Sequence, residues 1–266
     1  MKVVNSKEMF DLEKQALASG ISEKKMMKNA AKSIVKHLEN SLEINLIAGI
    51  SILVGKGNNG GDAIILGALL SRKYKVKIFE ILKRSEDIAI TLKREKPKDT
   101  NIELYEFNTN MINTIKLNIQ KDNLIMDGIL GIGIKRKLDE NLSKITNHIN
   151  SLNSYICSVD IPTGINSDDG TIDKNSIKAT ETLMLGYPKK GILNSSNFNF
   201  IGRISTLDIG IDNNLSGRIN LLNSEYIKKI EFSQKENNHK YMNGKLVILA
   251  GSRNYIGANL LCNYSA

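Results

Sequence analysis

Short apolar runs alternate with amphipathic stretches along most of this chain. The run Ile50–Val54 is rich in β-branched residues and shows no regular alternation with polar positions, which is typical of a strand buried on both faces. Further predicted strands span 75–82, 102–107, 179–185 and 203–209, and two more end at Asp127 and Asp160. Helical stretches separate most of them. The pattern predicts an α/β fold, a three-layer αβα sandwich around a Rossmann-like, mostly parallel sheet.

Two N-terminal helices are predicted before the first strand. Met9, Leu12 and Ala16 recur on one face, Gly20 interrupts the pattern, and an apolar stripe resumes over 26–38. A stripe of this kind that carries methionines is more typical of a core or a subunit contact than of a cofactor site.

The first predicted strand runs into a glycine-dense turn. Four glycines fall within residues 55–61, which predicts positive φ angles and a close approach of the backbone to a ligand. Backbone N–H groups at the start of the helix that follows would suit phosphate. The turn matches neither the spaced-glycine dinucleotide fingerprint nor the phosphate-loop pattern, and a turn that binds nothing is the alternative.

Three carboxylates, Asp62, Asp127 and Asp160, follow three of the predicted strands. Because ligands bind at the carboxyl ends of strands in such sheets, we expect these side chains to converge there. The alternative for each is a helix cap or a turn, most readily for Asp62. Asn59, Asp127 and Thr163 offer an amide, a carboxylate and a hydroxyl oxygen. Such a set suits a weakly hydrated cation better than zinc and is compatible with potassium.

Composition narrows the function classes. Apolar residues make up 41% and charged residues 24% of the 266 residues, as in a soluble globular protein. No signal-peptide pattern is visible, so we predict a cytoplasmic protein without membrane contact. The net charge is +9, but the lysines are dispersed and aromatic residues do not interleave with them. This dispersal argues against nucleic-acid binding as the origin of the charge and favours solvated surface positions. Two distant cysteines suggest neither a disulfide framework nor a zinc site.

Three segments are predicted along the chain. Residues 1–215 carry the alternating pattern of the first domain, 216–238 resemble a polar linker, and 239–266 begin again with a buried strand over 245–252 and a helix from Gly257. One strand and one short helix are too little for a domain.

Three motifs resemble the NAD(P)H-hydrate epimerase family (the YjeF N-terminal domain family). They are Asn-Asn-Gly-Gly-Asp at 58–62, Asp-Gly-Ile-Leu-Gly-Ile-Gly at 127–133, and Ser-Val-Asp-Ile-Pro-Thr-Gly-Ile-Asn at 158–166. The resemblance covers roughly 1–215 and includes Pro-Lys-Lys-Gly at 188–191. The tail is similar to the start of a ribokinase-like NAD(P)H-hydrate dehydratase domain. The chain thus resembles the N-terminal part of a bifunctional repair enzyme, and no dehydratase activity is expected from it.

The resemblance implies an isomerase of metabolite repair. Such an enzyme interconverts the R and S epimers of hydrated NADH or NADPH (NADHX and NADPHX), small-molecule substrates, with K+ as cofactor and as a homodimer. It implies that Asp160 faces the reacting nicotinamide as the catalytic acid/base, and that Asn59, Asp127 and Thr163 bind the potassium ion. The substrate contacts it implies, besides Asp160, are Asn58, Asn59, Gly60, Gly61, Asp62, Gly131, Ile132, Gly133, Ile134, Lys135, Arg136 and Lys137.

The chain departs from the family pattern at three of its motif positions. Ala63 stands where Gly is usual and would crowd the pyrophosphate if its φ were positive. Gly128 replaces a usual Ala, and Thr163 replaces a usual Ser but keeps the hydroxyl. The alternative function is a non-catalytic binding or scaffold module of the same fold, like those of an apolipoprotein-binding protein and of messenger-RNA decapping scaffolds, with a protein or RNA partner. Retention of Asn59, Asp127 and Asp160 favours the enzyme.

Overall fold

The computed structural model describes residues 2–41, 49–85, 87–95, 102–119, 124–133, 137–193, 197–211, 219, 221–222, 247–252 and 256–265. The chain divides into two compact units, Met1–Leu221 and Leu222–Ala266. The first unit contains the sheet and the candidate site. The linker predicted over 216–238 falls almost entirely outside the described residues, so its boundaries remain a prediction.

The described residues of the first unit form one seven-stranded sheet in which every pairing is parallel. Its order is β3-β2-β1-β4-β5-β6-β7. The order reverses direction between β1 and β4, which opens a crevice at the carboxyl ends of these strands. The strands are β1 Ile50–Val54, β2 Val76–Glu80, β3 Ile102–Tyr105, β4 Leu124–Gly128, β5 Tyr155–Val159, β6 Glu181–Leu185 and β7 Arg203–Leu207.

Helices cover both faces of this sheet. Ile52 packs into a core cluster with residues of the first helices, whereas its neighbour Leu53 packs into a separate cluster on the other face. The predicted three-layer αβα fold is therefore confirmed. In chain order the helices are α1 Ser6–Ala18, α2 Glu23–Ser41, α3 Asn58–Leu70, α4 Ile88–Glu95, α5 Met111–Asn118, α6 Glu140–Ser151, a 3-10 turn at Lys190–Leu193, α7 Phe198–Ile201 and, in the second unit, α8 Gly257–Ser265.

The two N-terminal helices lie where the sequence predicts them. Asn5 caps α1 in a capping box, because its side chain accepts from the Glu8 N–H at 2.8 Å and the Glu8 carboxylate accepts from the Asn5 N–H at 2.8 Å. Gly20 separates the helices with a φ of +92°. Met26 is buried in the core of its own chain, and α2 packs against α3. The methionine-bearing stripe is thus largely core.

The second unit departs from the prediction. Residues 247–250 form no strand, and the side chains of Val247 and Leu249 are 75% and 95% exposed. A strand needs a neighbour to pair with, and the described residues of this unit include no second strand. The predicted buried strand over 245–252 is therefore wrong for the residues that can be described. The helix predicted from Gly257 is present as α8.

Candidate active site

A cavity of about 610 Å³ opens at the carboxyl ends of the central strands. Its lining comes from helices α1 and α2 and from the segments that follow the strands, most of them after β1, β4 and β5. The sequence-predicted residues that line it are Asn58, Asn59, Asp62, Gly131, Ile132, Gly133 and Asp160. The predicted convergence of strand-end residues therefore produces a single pocket.

The glycine-dense turn is built differently from the prediction. Gly60 and Gly61 lie inside α3, Gly57 is its N-cap with a φ of −89°, and none of the four glycines has a positive φ. Two of the four, Gly55 and Gly60, exclude a side chain because backbone approaches backbone. A Cβ on Gly55 would lie 1.6 Å from the Ile129 carbonyl oxygen, and one on Gly60 would lie 2.0 Å from the Gly55 carbonyl oxygen. The close approach is therefore to the protein's own chain.

Arg84, in the segment after β2, supports this turn from behind. Its Nη1 donates to the carbonyl oxygens of Gly55 and Gly57 at 2.7 and 2.8 Å. A Cβ on Gly60 would lie 2.7 Å from the same nitrogen. The guanidinium thus engages carbonyls of the turn whose N–H groups begin α3. The sequence analysis gave Arg84 no role, because its contacts with these carbonyls join segments that are nearly 30 residues apart in the chain.

Asp127 ends β4 and is fully buried. Its carboxylate accepts from the Ser158 hydroxyl at 2.9 Å, from the Thr163 N–H at 2.9 Å and from the Thr163 hydroxyl at 2.6 Å. Burial raises the pKa of Asp127 more than these hydrogen bonds lower it. The site is therefore a desolvated carboxylate that a cation would stabilise.

The backbone of Leu130 links Asn59 to Thr163, whose hydroxyl contacts the Asp127 carboxylate. Its Nδ2 donates to the Leu130 carbonyl oxygen at 2.9 Å, and the Leu130 N–H donates to the Thr163 hydroxyl at 3.2 Å. The Asn59 Oδ1 is buried and has no hydrogen-bond partner among the described residues. An unpartnered buried oxygen is costly. Asn59, Asp127 and Thr163 are thus brought together, and their oxygens fit a hard cation.

Asp160 follows β5 in the left-handed region, with a φ of +65°. Its Oδ1 accepts from the Leu185 N–H at 3.0 Å and from the Lys189 ammonium. The ammonium is fully buried and also donates to the Leu185 carbonyl oxygen at 2.6 Å. The other carboxylate oxygen, Oδ2, makes no hydrogen bond within the described residues. This strained, ion-paired aspartate at a cavity is typical of a catalytic group.

Two further carboxyl groups line the cavity, Glu13 from α1 and Asp62 from α3. Burial raises the pKa of Asp62 well above its usual range, and the charges of Asp160 and Glu13 add to the effect. Burial followed by the charge of Asp160 also raises the pKa of Glu13. Asp62 does not cap its helix, because the N-cap is Gly57. Both carboxyls therefore hold their protons to a higher pH than ordinary surface acids.

The remaining predicted contacts are either outside the cavity lining or outside the described residues. Gly60 and Gly61 are buried outside the cavity lining, and Lys137 is exposed and outside it. Ile134, Lys135 and Arg136 are not among the described residues. Sequence reasoning gave no role to Glu13 or Lys189. The signal available for Lys189 was its place in a proline-containing turn after a strand, the same position as the other site residues.

Comparisons with known proteins add three findings. The family described as "YjeF-related protein N-terminus" matches residues 23–191. The chain is 34% identical to the bifunctional NAD(P)H-hydrate repair enzyme Nnr of Dictyoglomus turgidum, over 100% of this chain and 52% of that protein. It is 30% identical to the NAD(P)H-hydrate epimerase of Oenococcus oeni, over 72% of this chain and 88% of that protein.

The likeness extends to a solved structure. The crystal structure of the yeast protein YNL200c matches with a TM-score of 0.63 at 23% identity, over 78% of this chain and 88% of that one. This likeness supports the fold. The chain spans about half the length of the bifunctional relative, 52%.

Proposed function

The chain belongs to the family of YjeF-related protein N-termini, and from this premise we propose that it is an isomerase that interconverts the R and S epimers of hydrated NADH or NADPH. The observation that carries the proposal is the Asp160–Lys189 pair at the edge of a cavity walled by the family motifs. A non-catalytic module would have no need of a strained backbone at Asp160 or of a buried lysine beside it.

The cavity suits such a substrate. Its volume of about 610 Å³ lies within the usual range of small-molecule sites. The N-terminus of α3 presents N–H groups that favour phosphate, and Lys14 and Lys56 line the same cavity. Apolar side chains of α1 and α2, such as Phe10 and Met26, offer a surface on which a nicotinamide ring can pack.

Asp160 supplies the acid/base chemistry in this proposal. The substrate carries a hydroxyl at C6, next to N1 of the ring. Protonation of that hydroxyl lets the C6–O bond break and water leave, while the N1 lone pair forms an iminium cation. Water then adds to C6 on either face and gives up a proton. A carboxylate at this point can donate the first proton, stabilise the cation and accept the last proton.

Lys189 positions this carboxylate. Its ammonium holds Oδ1 of Asp160, with the Leu185 N–H as the second donor, and Oδ2 stays available to the ring. A buried lysine with a paired carboxylate also avoids the cost of an isolated buried charge.

Asn59, Asp127 and Thr163 are the residues that would hold a potassium ion. The unpartnered Asn59 Oδ1 and the desolvated Asp127 carboxylate support this part of the proposal. A bound cation would supply positive charge beneath the turn that follows β4, the turn that contributes Gly131 and Gly133 to the cavity.

The proposal is limited to the epimerase. Activities of the longer relatives that depend on their other half are not assigned to this chain. We place the enzyme in the cytoplasm, as its sequence suggests, and keep the homodimer as a prediction. No helix in the described part of the chain has both the length and the apolarity needed to cross a membrane.

Chiral chromatography of hydrated NADPH tests the proposal. Pure R epimer is incubated with the protein, with and without K+, and the S epimer is followed above the spontaneous rate. We expect a K+-sensitive acceleration that falls at least about a hundredfold in Asp160→Asn. Asparagine tolerates the left-handed backbone at this position, and Asp11→Asn, at an exposed position of α1, is the matched control. Folded wild-type protein without acceleration would instead favour a binding module.

A further inference from the structure

Helix α1 lies outside the residues that match the family, 23–191, yet it is fastened to the catalytic turns. The Val4 N–H donates to the Pro188 carbonyl oxygen at 2.9 Å, and the Lys190 N–H donates to the Val4 carbonyl oxygen at 2.9 Å. These bonds flank Lys189 on both sides. The Ser6 N–H and hydroxyl both donate to the Asp168 carboxylate at 2.6 Å. The start of α1 is therefore fixed relative to the Asp160–Lys189 pair.

One face of α1 lines the cavity. Residues on this face follow helical spacing, and they are Ser6, Met9, Phe10, Glu13, Lys14 and Leu17. Glu13 is the carboxylic acid among them. The other acids of the helix have different surroundings, because Glu8 closes the capping box and Asp11 is exposed.

Glu13 has no structural partner to explain its position. Its carboxyl group forms no hydrogen bond or ion pair with any other described residue. After burial, the charges that act on it most strongly are those of Asp160 and Lys189, which lie at the same cavity. The surrounding apolar side chains and the Asp160 charge raise the pKa of Glu13 and favour its protonated form. A proton-holding acid thus shares the cavity with a lysine-paired carboxylate, an arrangement typical of paired acid and base roles.

Inversion at C6 needs proton transfer at both faces of the ring, and Asp160 alone serves both faces only if the iminium ring turns over within the site. A group on one face of the ring can remove the hydroxyl and return water on that face only, unless the ring turns over. Resting on the epimerase function proposed above, we propose that Glu13 is a second acid/base catalyst, serving the face of the ring opposite to Asp160.

The protons of the epimerisation are accounted for when Glu13 and Asp160 act on opposite faces of the ring. For the epimer whose hydroxyl faces Glu13, Glu13 gives its proton to the hydroxyl, the C6–O bond breaks, water leaves and the N1 lone pair forms the iminium. Water then bonds to C6 on the other face and gives a proton to Asp160. One proton has moved from Glu13 to Asp160, and exchange with solvent restores both. The opposite epimer follows the same path in reverse.

Oxygen exchange separates this role from a structural one. The Glu13→Gln variant is incubated with each pure epimer in ¹⁸O-labelled water. Both epimerisation and the incorporation of ¹⁸O into the C6 hydroxyl are measured. We expect epimerisation to fall about a hundredfold, while one epimer, the one served by Asp160, still exchanges its hydroxyl at nearly the wild-type rate. Glu13→Asp should recover part of the epimerisation. Asp11→Asn, on the same helix but outside the cavity, should behave as wild type.

Other outcomes overturn the proposal in distinguishable ways. Equal epimerisation by wild type and Glu13→Gln removes Glu13 from the mechanism and leaves the proposed function intact. Equal loss of oxygen exchange and of epimerisation in a folded Glu13→Gln variant would show that Glu13 acts in substrate binding. It would not be the acid/base on one face of the ring. A split between exchange and epimerisation in Asp62→Asn but not in Glu13→Gln assigns the second acid to Asp62. A wild-type protein without any acceleration overturns both proposals.

Discussion

The side chain of Ala63 occupies the space that Gly128 leaves open. A Cβ on Gly128 would lie 2.5 Å from the Ala63 Cβ, far inside van der Waals contact. Ala63 is fully buried in α3 and its φ is not positive, so it does not crowd a ligand as a left-handed residue would. The two departures from the family pattern, alanine for glycine at 63 and glycine for alanine at 128, therefore compensate one another.

Gly128→Ala should destabilise the protein by about 1–3 kcal/mol, because the added methyl group overpacks the contact with Ala63. Ala63→Gly should also destabilise it, since glycine weakens a helix interior. In the double variant the methyl group moves from α3 to β4, so its free energy of unfolding should exceed the value expected from adding the two single losses. Urea denaturation of all four proteins measures this coupling.

Gly57→Ala is the control for a glycine replacement in open space, since no atom lies within 4 Å of its added Cβ. It should lower the free energy of unfolding by about 0.5–1 kcal/mol, because alanine is a poorer N-cap than glycine. Strict additivity in the double variant would contradict the proposed compensation.

Arg84→Ala should raise KM for the hydrated dinucleotide more than it lowers kcat. The guanidinium holds the carbonyls of Gly55 and Gly57, so its loss loosens the turn that begins α3 without touching Asp160. Steady-state kinetics on one epimer gives the split. Arg84→Lys should recover part of the loss, and Arg72→Ala, an exposed position after α3, is the charge-matched control. A fall in kcat alone would place Arg84 in another role.

Thr163→Val should remove most of the response to potassium. The variant keeps the side-chain shape but lacks the hydroxyl that contacts Asp127 at 2.6 Å. Thr163→Ser keeps that hydroxyl and should retain the response. Titration of K+ against epimerisation rate, with Na+ at constant total salt, measures the effect. An unchanged potassium dependence in Thr163→Val would exclude this residue from the cation site.

Glu181→Gln should destabilise the protein by about 3 kcal/mol. The fully buried carboxylate accepts from Arg203 at 2.8 Å, Ser205 at 2.6 Å and Tyr155 at 3.1 Å, and it contacts His37 at 2.8 Å. Burial alone would raise the pKa of Glu181, but hydrogen bonds from Arg203, Ser205 and His37 outweigh it and lower the pKa below its usual range.

The pH dependence of this loss follows from the lowered pKa. The stabilisation by Glu181 is present above the ordinary glutamate pKa of about 4.3 and is lost as the pH falls through the native value. Urea denaturation at several pH values measures it, with Glu140→Gln, a fully exposed surface pair with Lys144, as control. A Glu181→Gln variant as stable as wild type at neutral pH would contradict the prediction.

Asp62→Asn should gain stability relative to wild type as the pH rises. A raised pKa means that the native state holds the Asp62 proton more tightly than the unfolded state does. Its contribution is therefore fully present below the ordinary aspartate pKa of about 3.9 and is lost as the pH rises through the native value. Asparagine cannot titrate. Parallel stability curves for the two proteins from pH 4 to 8 would show that Asp62 is not perturbed, and Asp11→Asn is the matched control.

The sheet could be predicted because each strand has a recognisable local sequence pattern. Runs such as Ile50–Val54 are apolar and bounded by turns, and the parallel arrangement follows from the helices between them. The convergence of Asn59, Asp127 and Asp160 follows from the same rule, since each lies at or just after the carboxyl end of a strand. The buried strand expected near Val247 is not formed by residues 247–250, and the described residues of the second unit give it no neighbouring strand to pair with.

The rest of the site depends on contacts between distant parts of the chain. Lys189 reaches Asp160 because β6 pairs with β5, an adjacency that no local pattern encodes. The periodicity of α1 shows which residues share a face with Glu13, but not that this face meets the cavity. The glycines of the first turn illustrate a third limit. Their density predicted a close approach to a ligand, whereas Gly55 approaches Ile129 and Gly60 approaches Arg84 of the protein itself.

The anchoring of α1 also sets when the site can form during synthesis. Ser6 and its partner Asp168 are 162 residues apart, and ribosomes add about 5–20 residues per second. The first helix therefore waits on the order of ten seconds before the turn that fixes it leaves the ribosome. Through that interval the pocket around Asp160 lacks the contacts that fix its α1 side, so the pocket can close only after Asp168 and Lys189 have been translated.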